Sequence, residues 1–126
     1  VQLLSKGQEQ RANHLYSKVA ENDTLTVKKD EASEFYFQLV KHHFQNDQSQ
    51  IRLEALGGAI PNLVLVTELI ELSGMAKKTK IKSKEVPLEV EQNGGKSHLT
   101  HIIQMRVIME KTVKFQREFQ QVHQNQ

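Results

Sequence analysis

Apolar positions recur along this chain at two periods, and the change from one to the other marks out its elements. Ala12, Leu15, Tyr16 and Val19 recur at helical spacing, which predicts an amphipathic helix from about Ser5 to Glu21. In "DTLTVKK", Leu25 and Val27 alternate with polar residues and predict a short strand. Asp30 is then placed to cap a helix in "DEASEFYFQLVKHHF", where Ala32, Phe35, Leu39, Val40 and His43 line one face. His42 and His43 fall near its C-terminal end, where the helix dipole favours positive charge. After the polar link "QNDQSQ", Ile51, Leu53 and Ala55 return to strand alternation. Gly57 and Gly58 open a further helix whose first turn holds Pro61, where a missing N–H costs little.

That helix is apolar around most of its circumference. Ile60, Leu63, Val64, Leu65, Val66, Leu69, Ile70 and Leu72 leave only a narrow polar strip at Asn62, Glu68 and Glu71. Such a helix is covered on more than one side, and one small sheet covers only one. A second protein surface is therefore expected against it. Next, "AKKTKIKSK" reads as a strand with Lys78, Lys80, Lys82 and Lys84 on one face and Thr79, Ile81 and Ser83 on the other. Val86, Leu88 and Val90 alternate with Glu85, Pro87, Glu89 and Glu91, and "QNGGKS" carries the Asn-Gly signature of a tight hairpin. From Leu99 to Met109, Leu99, Ile103, Met105, Val107 and Met109 share one face while Ile102 and Ile108 share the other, the pattern of a central strand. Phe115, Phe119 and Val122 then predict a short C-terminal helix before a Gln-rich end.

With 126 residues the chain is expected to form one domain with its own core. The absence of cysteine removes disulfides and thiolate zinc sites. No apolar run is long enough to span a bilayer, and "VQLLSKGQEQRANHLYSK" has no sustained apolar stretch of signal-peptide type, so a soluble, nuclear or otherwise intracellular protein is expected. A formal net charge of +2 means that any affinity for polyanions depends on where charge lies. Five lysines stand in the eight positions from Lys77 to Lys84. Two explanations compete for them. An edge strand uses lysines to keep its unpaired backbone from templating aggregation. A cationic stripe meets phosphates.

Catalytic motifs fail on spacing. "GGKS" at Gly94–Ser97 resembles the end of a phosphate-binding loop, but the earlier glycine would fall on Val90 and no helix pattern follows. His98 and His101, three apart on a strand, face opposite ways and do not share a metal. Glu85, Glu89 and Glu91 have no apolar pocket to separate their pKa values, so they read as a solvated face. Neither an enzyme nor a cofactor is expected, and no metal site.

The element order, with "IRLEALGGAIPNLVLVTELIE" (51–71), "VKKDEASEFYFQLV" and "SHLTHIIQMRVIMEK", resembles the Alba superfamily over roughly Asp23 to Lys111. A Gly-x-Ala-Ile motif opening the second helix carries most of the likeness. The resemblance implies an α+β fold of order β-α-β-α-β-β: a four-stranded mixed sheet with two helices on one face, plus an N-terminal helix and a short C-terminal one. It divides the chain into a helical extension (1–22), an Alba-like domain (23–112) and a partly helical tail (113–126). It also implies a homodimer or an unequal pair, with Ile60, Leu63, Val64, Val66, Leu69 and Ile70 at the interface.

Alba-like proteins bind DNA or RNA through lysines after the first strand, basic residues opening the second helix, and the arm between the last two strands. Lys28 and Lys29 match the first group. Gly58 stands where the family often has arginine, and Pro61-Asn62 where it often has Ser-Lys. Lys96 sits at the tip of an arm that also carries Glu85, Glu89 and Glu91. These departures make the chain look closer to the paired subunits of eukaryotic ribonuclease P and MRP than to archaeal chromatin proteins. The resemblance thus implies nucleic-acid contact through Lys28, Lys29 and Lys96, and the clustering of charge adds Lys77, Lys78, Lys80, Lys82 and Lys84 as a candidate cationic surface. The expected role is a non-catalytic accessory subunit, heterodimeric with a related chain inside a larger catalytic complex. The alternative is an assembly scaffold that keeps the fold and has lost most nucleic-acid binding.

Overall fold

The computed structural model describes residues 6–91, 94–113 and 115. The chain runs α1 (Lys6–Asn22), β1 (Thr24–Thr26), α2 (Ser33–Gln45), β2 (Gln50–Leu56), a 3₁₀ turn (Gly57–Ala59), α3 (Ile60–Leu72), β3 (Ala76–Glu91) and β4 (Ser97–Lys111). Its four strands lie in the order β1-β2-β4-β3, with β1 parallel to β2 and the other pairs antiparallel. This is the expected α+β arrangement with a mixed sheet and helices packed on one face. β4 is central, as its apolar residues on both faces require. The C-terminal face of Phe115, Phe119 and Val122 lies, apart from Phe115, outside the described residues, as does Asn93 of the hairpin signature; Gly94 and Gly95 beside it take φ of +103° and +79°.

Alternation in β2 sends Ile51, Leu53 and Ala55 into the core, where they meet Val107 and Met109 of β4 and Leu25 of β1. Over them α2 lays Phe35, Tyr36, Leu39, Val40 and Phe44, and α3 lays Leu63, Val66 and Ile70. Two buried polar side chains are satisfied locally. Thr67 donates its hydroxyl to the Val64 carbonyl at 2.8 Å, and His43 Nε2 donates to the Gln50 carbonyl at 2.8 Å, with Asp23 Oδ1 at 3.7 Å. Helix α1 docks through buried Ala12 and Val19 and a stack of Tyr16 on His42, ring centroids 3.8 Å apart. Burial at this contact, then the neighbouring His43, holds the His42 imidazole below its usual pKa.

Three expectations are corrected. Asp30 does not cap α2: the helix begins at Ser33, its N-cap is Ala32 with extended backbone, and no side chain caps it. Ala32 accordingly is exposed rather than on the buried face. Leu63, Val66 and Ile70 are fully buried in the chain's own core, so they cannot also form a surface against a second chain. The apolar residues that α3 leaves exposed are Val64, Leu65 and Leu72, at 44%, 57% and 82%, with Ile60 and Leu69 half-buried.

Candidate nucleic-acid interface

Lys28 and Lys29 follow β1 in a loop that three helices hold in place. The Lys28 N–H donates to the Tyr36 hydroxyl of α2 at 2.8 Å. Asn62 of α3 donates through Nδ2 to the Lys28 carbonyl at 2.8 Å and to the Glu31 carbonyl at 2.9 Å. Arg11 of α1 pairs with Glu31 at 2.9 Å. With both carbonyl contacts made by one amide, the backbone of the loop is fixed while the two ammonium groups stay exposed. Together with Thr26, Leu56, Gly58 and Ala59 they border a cleft of about 320 Å³ beside the start of α3. Gly57, at the base of that start, takes φ +50°, and a Cβ there would come within 2.6 Å of Ile102 Cδ1. Gly58 is open: a Cβ would meet only Lys29 Cδ at 3.9 Å.

The lysines of β3 do not form one row. Its register against β4 shifts between Lys78 and Lys80, a β-bulge at Thr79. Before the bulge Lys78 stands opposite Met109 on the helix-covered face; after it Lys80, Lys82 and Lys84 stand opposite Ile108, Arg106 and Gln104 on the uncovered face, which Lys77 opposite Glu110 shares. Lys78 is therefore withdrawn from the stripe and bound by α3, its Nζ 2.8 Å from Glu71 and 3.0 Å from Glu68. Its hydrogen bond to Glu71 raises the Lys78 pKa and lowers that of Glu71. On the uncovered face the Lys82 ammonium is pushed below its usual value by its contact with Lys80, the charge of Lys80, and then slight desolvation and the charge of Arg106.

Beyond Lys84 and Gln104 the partner strand β2 has ended, and β3 and β4 continue as a two-stranded arm. Its ladder puts Glu85, Glu89 and Glu91 on the helix side with Ile103, His101, Leu99 and Ser97. Val86, Leu88 and Val90 take the other side with Ile102, Thr100 and His98. His98 and His101 do face opposite ways. Lys96 lies at the tip, separated from Lys84 by an arm on the order of 24 Å long.

The eight lysines thus divide into four places: the β1–α2 loop, the uncovered face of β3, the α3 ion pair and the arm tip. Loop and stripe sit on opposite edges of the sheet, three inter-strand spacings or on the order of 14 Å apart. Between them is a residue that the pattern of "SHLTHIIQMRVIMEK" did not single out. Arg106 is fixed by Glu54 of β2 at 2.6 Å, and its buried Nε has no hydrogen-bond partner among the described residues. A cue for the bulge did exist. Ala76 and Ile81 are an odd number of residues apart, so they share the covered face only if one extra residue is inserted between them.

No protein-family model and no curated protein matches this sequence. In three dimensions the chain is similar to ALBA1 from Trypanosoma brucei, with 18% identity, 82% of this chain and 81% of that one covered, and a TM-score of 0.62. It is also similar to Alba from Thermoplasma volcanium, with 19% identity, 70% of this chain and 99% of that one covered, and a TM-score of 0.59. The shared feature is the path of the backbone: this chain has the Alba fold.

Proposed function

We propose that this chain is a non-catalytic, Alba-like nucleic-acid-binding accessory subunit, nuclear or otherwise intracellular, that pairs with a related chain inside a larger nucleic-acid-processing or -modifying complex. The observation that carries the reading is the division of the sheet into two unlike faces. Lys77, Lys80, Lys82 and Lys84 project from the uncovered face, where Leu56 and Leu88 are also exposed, whereas most of the exposed apolar residues and the arm's carboxylates lie on the helix side. Val64, Leu65 and Leu72 of α3 and Ile81, Leu99 and Ile103 of β3 and β4 are all exposed on that side. Burying them against a second chain removes them from water. Glu85, Glu89 and Glu91 beside them favour an unlike partner with basic groups, because a two-fold self-pair sets like charges on the same patch.

The nucleic-acid part of the reading draws on the same family likeness and on the two cationic sites. The described face carries no aromatic side chain on which bases could stack, so contact is electrostatic and follows the backbone. A second reading, a scaffold that has lost nucleic-acid binding, is favoured by one observation: Lys78 is neutralised by Glu68 and Glu71.

A pull-down of the tagged chain from its native extract, with and without nuclease, tests both. The proposal expects a related small chain and a catalytic subunit that survive nuclease, and nucleic acid that does not. The chain recovered alone, as a self-pair coating bulk nucleic acid, contradicts the accessory role. A nuclease-resistant assembly holding no DNA or RNA at moderate salt selects the scaffold.

A further inference from the structure

Five cationic side chains meet on the sheet face that no helix covers. Strand order places Arg52 on β2, Arg106 on β4, and Lys80, Lys82 and Lys84 on β3, with all five side chains on the same side of adjacent strands. Arg52 lies opposite Ile108, and so does Lys80 from the other side; Arg106 lies between Glu54 and Lys82. Among the described residues only Arg106 of these five has a carboxylate partner, Glu54, and Lys77 stands opposite Glu110. Arg52, Lys80, Lys82 and Lys84 are exposed with no ion pair among the described residues.

The Arg106 contact has the form of a positioned donor. Glu54, only 17% exposed, holds one terminal nitrogen at 2.6 Å, which sets the guanidinium plane. Nε is buried, without a partner among the described residues, and the side chain as a whole keeps 34% of its surface open. An anion beside that open part would meet a held guanidinium rather than a mobile charge. The neighbouring lysines repel one another, as the lowered Lys82 pKa records, and a polyanion laid over them relieves that repulsion. Thr24, Thr26, Gln50, Leu56, Gln104 and Ile108, with the carboxylates of Glu54 and Glu110, make up the rest of the face without a Phe, Tyr or Trp ring, so the contact is to backbone rather than base.

We infer that the uncovered sheet face, from Arg52 across Arg106 to Lys80, Lys82 and Lys84, seats the phosphodiester backbone of a nucleic acid. This rests on the nucleic-acid-binding reading above and differs from it in placing the strand across the face rather than along the β3 edge. Arg52 distinguishes the two, since it stands two strands away from β3, on the order of 10 Å.

The test is fluorescence anisotropy of the full chain with short fluorescein-labelled DNA and RNA duplexes of one sequence, over a salt series. Arg52→Gln and Arg106→Gln are each expected to reduce the slope of log K against log salt by about 0.9, while Lys41→Gln on α2 leaves it unchanged. Arg52 is exposed and has no ion pair among the described residues, so its variant keeps the test valid if removing Arg106 from Glu54 disturbs the fold. Unchanged slope and affinity in Arg52→Gln and in a folded Arg106→Gln, with the loss confined to Lys82→Gln, overturn the inference and leave the binding reading intact. Absence of salt-dependent binding by the native chain overturns both. Poly-glutamate bound as tightly as duplex at equal salt also overturns the inference, assigning the face to an acidic protein surface.

Discussion

The Lys28–Lys29 loop and the Lys80–Lys84 stripe each present adjacent cations, but they are built in opposite ways. The loop has no regular structure of its own and is held by side chains from elsewhere: Tyr36 on α2, Asn62 on α3 and Arg11 through Glu31. The stripe is held by its own backbone ladder, and its side chains have no carboxylate among the described residues. Its one sequestered neighbour, Lys78, shows what such a partner does: two glutamates of α3 convert a surface cation into part of the fold. Cations positioned by tertiary contacts couple binding to stability. Cations positioned by a strand register do not.

That difference can be broken at either end. Asn62→Ala has the largest expected effect, because it removes both hydrogen bonds that fix the loop carbonyls. A loss of about 1–2 kcal/mol is expected from urea unfolding, with weaker nucleic-acid binding in the same variant. Unchanged stability would mean that the loop holds itself. Replacing Lys80 and Lys82 together by Gln is expected to leave the urea midpoint where it was and to lower the salt slope of binding by about two. A fall in stability would show that the stripe supports the fold after all.

Smaller effects sharpen the contrast. Gly58 has room for a side chain beside Lys29, so Gly58→Arg adds a cation to the loop cleft and is expected to steepen the slope by about one. Glu71→Gln tests the sequestered lysine, with only a few tenths of a kcal/mol at stake in so exposed a pair. Its pH dependence has a definite sign. The Glu71 pKa is lowered in the fold, so its contribution is complete above the ordinary glutamate value and vanishes as pH falls through the lowered one. Lys78 is raised, so its share persists up to the ordinary lysine value and is lost as pH rises through the elevated one. The stability gap between native chain and variant should therefore close in acid, below the glutamate range, and again in strong alkali; a gap constant into acid would contradict the pairing.

The fold was largely legible because each element announces its period. Ile51, Leu53 and Ala55 alternate over a strand that is half-buried, and the two apolar sides of Leu99–Met109 mark a strand that has neighbours on both edges from Gln104 onward but only β3 beside it in the arm. The site was less legible, for reasons of register. A bulge at Thr79 reverses every later residue of β3, so the four lysines that alternate in sequence divide between two faces. The Arg106–Glu54 pair joins strands 52 positions apart and exists only once their register is set. Asn62 looked like a lost cation at the start of α3; its amide instead clasps the lysine loop more than thirty residues upstream. Asp30 had the chemistry of a helix cap, but the loop that Tyr36 and Asn62 fix carries the chain past it to Ala32.

The central claim is that this chain offers a polyanion a face on which cations outnumber the two carboxylates Glu54 and Glu110, opposite the side that carries the arm's carboxylates and most of the exposed apolar residues. Binding of the native chain to a labelled duplex, followed from low to high salt, tests it most directly. The account predicts log K falling linearly with log salt, with a slope of about −4 to −5 from the five cations of the uncovered face and about −6 where Lys28 and Lys29 also meet phosphates. Affinity that is absent at low salt, or that does not change as salt rises, would contradict it.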